Sequence, residues 1–280
     1  MDLSCVVATF QDPLGLYLTV YSLLFQLQKT SLNWEIIIAA DAGTETMYER
    51  LPNTRCLRLT GSQRTGSPQG TRDAGIRAAL AKTVLCIESH VVVDKIEEYL
   101  AEHLSLGGAM TFPARIGEGT SLFNVYGTTT NFEGNLWFKR TIYSPLSDKP
   151  YRVPQFGHSC FMLDRAAYLA VGGYTNLLTG WGGEESLLCL KFWMLGYTLW
   201  QVPSIGHAHF LADRTGGAMQ TEQFQKNFAI TKYVLTGNIS SGLQITSPIA
   251  HERERIKSGP YGGDIEKLRA YLRAEGIVTE

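Results

Sequence analysis

The sequence lacks any excess of charge. Its 25 lysines and arginines nearly balance 26 aspartates and glutamates, leaving a formal net charge of −1 over 280 residues. That balance gives no long-range attraction to nucleic acid or to an anionic membrane. No apolar run is long enough to span a bilayer. The opening Met1-Asp-Leu-Ser-Cys-Val-Val-Ala-Thr-Phe10 has neither the basic start nor the apolar core of a signal peptide. The expected localisation is therefore cytoplasmic. Five cysteines (Cys5, Cys56, Cys86, Cys160 and Cys189) are odd in number and lack metal-site spacing. They read as reduced core thiols, not a disulfide frame. Internal repeats, low-complexity tracts and linkers are also missing, so residues 1–280 are expected to form one domain.

What is present is an alternation of periods. Apolar runs at Leu3–Phe10, Trp34–Ala40, Thr54–Thr60 and Thr83–Glu88 predict strands, and Leu14–Gln28 and Thr71–Lys82 predict helices between them. This rhythm argues for a mostly parallel, Rossmann-like sheet flanked by helices. Ligands in such sheets sit beyond the carboxyl ends of the strands, where Asp41 and the Glu88-Ser89-His90 run fall. The second half is less regular. Gly107–Arg115 and Tyr197–Val202 predict strands, with Pro203 onwards outside the latter; Asp164–Val171, Glu222–Leu235 and Asp264–Ala274 predict helices. Residues 116–156 predict loops and short antiparallel strands.

Two constellations carry chemistry. Gly180-Trp181-Gly182-Gly183-Glu184-Glu185 opens an almost wholly apolar helix, Ser186–Leu195, interrupted only by Lys191. Such a helix is buried nearly all round, and acids at its first turn are favoured by its dipole and unpaired N–H groups. The glycines let backbone or ligand approach closely, and Trp181 is a flat platform for a sugar or a base. Adjacent helical residues point about 100° apart, so Glu184 and Glu185 serve different tasks. The second constellation is Glu88, His90 and His207. Two histidines and one carboxylate form a donor set for a divalent metal with open positions. Within Gly206-His-Ala-His209, His209 is the rival candidate. His158 reads as a hydrogen-bonded pocket wall.

These motifs, in this order, resemble GT-A glycosyltransferases, and most of all the catalytic domain of polypeptide N-acetylgalactosaminyltransferases, over roughly residues 3–235. Val6-Val-Ala-Thr9-Phe10 resembles the family's first strand, whose end borders the uridine. Glu35-Ile-Ile-Ile-Ala-Ala-Asp41 resembles the strand ending in paired acids, with Ala40 replacing the first and Asp41 matching the uracil contact. Arg72 matches an arginine of the nucleotide helix, and Glu88-Ser89-His90 the Asp-x-His metal motif. Gly173-Tyr-Thr and Gly180–Glu185 match the acceptor motif, and Gly206-His207 the third metal ligand. Two departures stand out. Glu88 replaces the usual Asp, moving the carboxylate by ~1.5 Å. Glu185 replaces an Asn and resembles instead the catalytic Asp of the Gly-Gly-Glu-Asp motif in inverting galactosyltransferases.

The resemblance implies a GT-A fold with a small antiparallel acceptor-side sheet, and a division into a nucleotide-sugar half (about 1–95), an acceptor half (about 96–215) and a C-terminal lid with helices (about 216–280). It implies transfer from a UDP-sugar to an acceptor hydroxyl, with Mn²⁺ (or Mg²⁺) held by Glu88, His90 and His207 as Lewis acid. Thr9, Phe10, Asp41, Arg72, Ser89 and Arg214 are expected at the donor. Trp181, Gly182 and Gly183 are expected at the acceptor, with Glu184 binding a hydroxyl and Glu185 as general base. A glycan, lipid-linked or protein acceptor is the leading expectation. The basic and aromatic stretch Trp137–Arg152 leaves hydroxymethylated pyrimidines in viral DNA as an alternative. A non-catalytic sugar-nucleotide-binding protein is a further one. A metal-dependent oxygenase would need a β-rich barrel instead.

Overall fold

The computed structural model describes residues 1–278 except 11, 41–44, 60–67, 119–123, 131–135, 137, 143–148, 181 and 211–221. In chain order the elements are β1 (Leu3–Thr9), α1 (Pro13–Leu27), β2 (Trp34–Ala40), a 3₁₀ turn (Glu45–Arg50), β3 (Thr54–Arg58), α2 (Pro68–Ala78), β4 (Thr83–Glu88), β5 (Val91–Val93) and α3 (Ile96–Leu106). There follow β6 (Met110–Glu118), β7 (Asn124–Thr130), β8 (Phe138–Ile142), β9 (Tyr151–Arg152), β10 (Cys160–Asp164), α4 (Arg165–Ala170), α5 (Glu184–Met194), β11 (Leu199–His209), α6 (Glu222–Thr236), α7 (Ser247–Lys257) and α8 (Ile265–Ala274).

The first four long strands lie in the order β3-β2-β1-β4, and all three pairings are parallel. β1 sits in the middle, and all seven of its residues are buried. Alternate side chains of a strand point to opposite faces. Leu3, Cys5 and Val7 accordingly pack with α1 and α3, while Val6 packs on the other face with Ile76 of α2 and the residues of α5. Helices cover both faces, which explains why these strands read as continuous apolar runs instead of alternating ones.

Beyond β4 the sheet changes character. β10 enters antiparallel between β4 and β6, β6 and β11 run parallel, and β5 and β9 pair antiparallel with β11. β7 and β8 form the antiparallel extension expected from residues 116–156. β5, α3, β10 and α7 have no counterpart in the sequence reading: the strands are short, and Cys160–Asp164 runs directly into the pattern of α4. β11 also extends past its expected end. It passes Pro203 through a register shift between Val202 and Gly206 and resumes pairing to His209. A bulge tolerates proline because the residue there donates no ladder hydrogen bond.

Three hydrogen bonds of α1 fix the site-bearing strand ends. Asp12 caps α1, accepting the Gly15 N–H at 3.1 Å ahead of Pro13 in the first turn. Thr19 and Gln26 of α1 then donate to the Val91 and Val93 carbonyls at 2.8 and 2.6 Å, tying the helix to β5 just after His90. None of the five cysteines is in a disulfide, four of them are buried, and burial pushes the Cys86 thiol up to about 12.

Candidate active site

The carboxyl ends of β4 and β11 meet at one point. β11 runs antiparallel to β5, with His207 opposite Val93 and His209 opposite Val91. The later histidine on β11 is thus the one nearer His90. Glu88, His90 and His209 each present a ligand atom within 4.8 Å of the others. Glu88 Oε2 lies 3.3 Å from Nε2 of both histidines. This corrects the expected ligand set. His207 is 1% exposed, and its Nε2 lies 3.1 Å from the Ser159 hydroxyl; strand direction places His209, and not His207, beside Glu88 and His90.

The longer side chain of Glu88 reaches this cluster while its other oxygen accepts from Arg72 Nη2. Arg72, expected at the donor, is 2% exposed. Burial would push the Glu88 carboxyl up. The Arg72 charge, with His209 and His90, outweighs that and holds it well below the usual carboxylate range. His90 is likewise lowered by burial but raised on balance by Glu88 and Asp12. Burial also opposes the charge on Arg72, but Tyr174, Glu88, Cys86 and Glu184 overcome it and raise its pKa. One buried guanidinium therefore answers both to Glu88 and to Glu184.

Asp12 is the residue that sequence reasoning missed. Its Oδ2 lies 2.9 Å from His90 Nδ1 and accepts from the Ser89 hydroxyl at 3.1 Å. A carboxylate on the far ring nitrogen fixes the tautomer and turns Nε2 toward a metal. The available signal, Asp before Pro, marks a helix cap; the contact with a residue 78 positions away is visible only in the fold. Ser89 itself is buried and turned to Asp12. Thr9 is buried at the end of β1, and Phe10 beyond it is half-exposed.

The donor set fits a divalent cation. It offers two imidazole nitrogens and one carboxylate, gathered on one side, with His90 locked from behind and the His209 Nδ1 without a hydrogen-bond partner among the described residues.

The acids at the mouth of α5 are held differently. Glu184, 2% exposed, turns back to accept the Gly182 N–H at 2.7 Å. Burial pushes its carboxyl up, against the pull of nearby backbone N–H groups and Arg72. Glu185 is part-exposed, and its Oε1 accepts the His158 N–H at 2.8 Å. The two acids point apart, as helical geometry requires. Gly182 and Gly183 adopt φ of 108° and 82°. A Cβ at Gly182 would stand 2.4 Å from the Phe224 ring, and one at Gly183 2.7 Å from Thr231 Oγ1. The close approach these glycines permit is that of α6.

His158 is fully buried, bonded to the Tyr174 hydroxyl and lying 3.3 Å from Cys189 Sγ. Burial and Arg72 keep it well below its ordinary value, so it is a neutral wall. Lys191, the one charge in the apolar run, is also fully buried. It donates to the Gly173 carbonyl at 2.9 Å and pairs with Glu252 at 3.0 Å. Arg152, the last residue of the basic and aromatic stretch, is bonded to Glu275 at 2.5 Å. Asp41, Trp181 and Arg214 lie outside the described residues.

A strand-end cluster of two imidazoles and a carboxylate thus stands beside an acidic helix mouth. The glycosyl transferase family 2 model matches residues 4–172, more than half of the chain, and the chain belongs to that family. A model described as the N-terminal domain of galactosyltransferase matches residues 139–212. Among curated relatives, N-acetylgalactosaminyltransferase 4 of Drosophila melanogaster is 28% identical over 151 residues, covering 50% of this chain and 23% of that protein. The putative polypeptide N-acetylgalactosaminyltransferase 13 of the same organism is 30% identical over 149 residues, covering 49% and 27%. The chain thus spans about a quarter of the length of these relatives. Among solved structures, GalNAc-T7 with UDP, GalNAc and Mn²⁺ superposes with a TM-score of 0.69 at 18% identity, over 99% of this chain and 54% of that one. S. aureus TarS 1–349 in complex with UDP-GlcNAc gives 0.53 at 14% identity, over 91% and 70%. These likenesses establish the GT-A fold.

Proposed function

We propose that this chain is a divalent-metal-dependent glycosyltransferase that moves a sugar from a UDP-sugar to an acceptor hydroxyl with inversion. The observation that carries this reading is the joining of two sites through Arg72. The Glu88–His90–His209 donor set and Glu184 at the mouth of α5 share one buried cation. That GalNAc-T7 was solved with UDP and Mn²⁺ supports the same reading.

Glu88, His90 and His209 hold the cation, which when bound supplies Lewis-acid neutralisation of the diphosphate. Asp12 keeps His90 facing it. Arg72 keeps Glu88 ionised. Asp41 fixes the uracil, Arg214 covers the diphosphate, and Trp181 supports the sugar. Glu185, the more exposed of the two acids, takes the proton of the acceptor hydroxyl. The acceptor oxygen bonds to the anomeric carbon as the bond to the β-phosphate breaks, and UDP leaves. Glu184, kept inward with its pKa raised, binds a hydroxyl. The acceptor is a glycan, lipid-linked or protein hydroxyl.

The test is UDP release from a panel of UDP-sugars with Mn²⁺, with and without EDTA, and NMR of the product. The expected result is metal-dependent turnover with an inverted anomeric centre. A retained configuration overturns the base assignment. UDP binding with no turnover on any acceptor overturns the enzymatic reading.

A further inference from the structure

Helix α1 carries no charged side chain along Pro13–Leu27. Its inner face, Leu16, Val20, Leu23, Leu24 and Leu27, is buried against the sheet. Its outer face is also apolar: Leu14 is 71% exposed, Tyr17 50%, Leu18 41%, Tyr21 42% and Phe25 65%. A helix that is apolar all round is ordinarily covered all round. α8, also on the surface, shows the usual alternative, burying Leu268 and Leu272 while turning Glu266, Lys267 and Arg273 to solvent.

The exposed face has a period. Leu14, Leu18, Tyr21 and Phe25 are spaced four, three and four residues apart. That is the 3.5-residue seam that another helix grips by knobs-into-holes packing. The spacing reads the same in both directions. A second α1, running antiparallel about a two-fold axis, sets Leu14 against Phe25 and Leu18 against Tyr21, and each contact occurs twice. The rings are already gathered, with Tyr17 and Tyr21 centroids 4.4 Å apart and the Lys29 ammonium over Phe25. Together the five side chains expose roughly 500–600 Å² per chain, the upper end of what a monomer shows, and a pair would bury at most about 1,000–1,200 Å², the lower limit of a specific interface. Tyrosine and phenylalanine at such a centre are the residues that carry binding energy. Among the described residues the charge bordering the seam is Lys29, already seated on the Phe25 ring, so an acidic or basic partner finds no charged patch to complement. A membrane-surface helix would carry basic residues along its polar face, and α1 has none.

We infer that this face of α1 is the contact between two copies of this chain, paired as an antiparallel two-fold helix seam. Sedimentation velocity of the 280-residue chain between about 1 and 100 μM tests it, a range suited to an interface near the lower size limit. The expected result is a monomer–dimer equilibrium. Leu18→Glu and Tyr21→Glu each raise the dissociation constant at least about 100-fold, by burying an unpaired charge, with far-UV CD unchanged. Where either variant fails to fold, the Leu14→Cys, Phe25→Cys double variant decides. It forms an oxidised dimer in high yield, and Leu14→Cys alone, run beside the wild-type chain as background, does not. A wild-type chain that stays monomeric at 100 μM overturns the inference, including one that sediments with phosphatidylcholine vesicles. So does a dimer that survives Leu18→Glu unchanged, or a double variant that yields no cross-link.

Discussion

The strand-end cluster and the mouth of α5 each hold acids in a buried setting, yet the acids are kept in opposite states. Glu88 and Asp12 find side-chain partners far away in sequence (Arg72, His90, His209), and both carboxyls are lowered despite burial that would raise them. Glu184 finds chiefly backbone N–H groups on its own helix turn, and burial raises it. A directly bonded charged partner outweighs desolvation at Glu88; backbone N–H groups with Arg72 acting without a direct bond do not at Glu184. A metal site needs the first arrangement, because its ligands must be ionised or neutral on demand. An acid that hydrogen-bonds a sugar hydroxyl is served by the second.

Removing the proposed base breaks the comparison hardest. Glu185→Gln is expected to lower the turnover number about 10²–10⁴-fold while leaving Mn²⁺ affinity and UDP-sugar KM nearly unchanged. Steady-state UDP release and titration calorimetry separate the two. A parallel loss of Mn²⁺ binding would move Glu185 from the base to the donor cluster.

The next effect is on the cluster itself. Asp12→Ala frees the ring of His90, and Mn²⁺ affinity is expected to fall about 10–100-fold. Asp12→Asn, which retains an acceptor for the Nδ1–H, should recover part of it. Calorimetry without any sugar donor reads both.

The smallest effect sharpens the rule away from the site. Glu35 accepts from Ser4, Leu80 and Arg55 at 2.6–2.9 Å. Burial raises its carboxyl, but these partners outweigh it and the net shift is downward. A carboxyl lowered by folding stabilises the native state above its unfolded pKa, and that contribution is lost as pH falls through the folded value. Unfolding free energies of wild type and Glu35→Gln from urea titrations should differ constantly above about pH 5, by roughly 1 kcal/mol, and converge as the pH falls below the usual carboxylate range. A gap that widens on acidification would contradict the lowered value.

How much of this was legible in the sequence follows the same divide. β1, β2 and β4 and helix α1 stand within a residue or two of their expected bounds, because fully buried parallel strands announce themselves as apolar runs. Glu88 and His90 were legible because they sit two residues apart at a strand end. Asp12 was not: as sequence it is a helix cap, and only folding brings it to His90. The exchange of His207 for His209 has the same origin. Both lie on one side of β11, and the choice is made by its pairing with β5, a three-residue strand too short to read. The burial of Lys191 was hidden because its partner, Glu252, belongs to α7, a helix whose pattern of charges gives little sign of a buried face.

The central claim is that Glu88, His90 and His209 form a metal centre in which His207 takes no part. Mn²⁺ titration of His209→Ala and His207→Gln, followed by calorimetry or electron paramagnetic resonance in the presence of UDP, tests it directly. The account predicts at least about 100-fold weaker binding for His209→Ala, as for loss of one of three ligands, and a change of no more than a few-fold for His207→Gln. Full Mn²⁺ affinity in His209→Ala together with its loss in His207→Gln would contradict it.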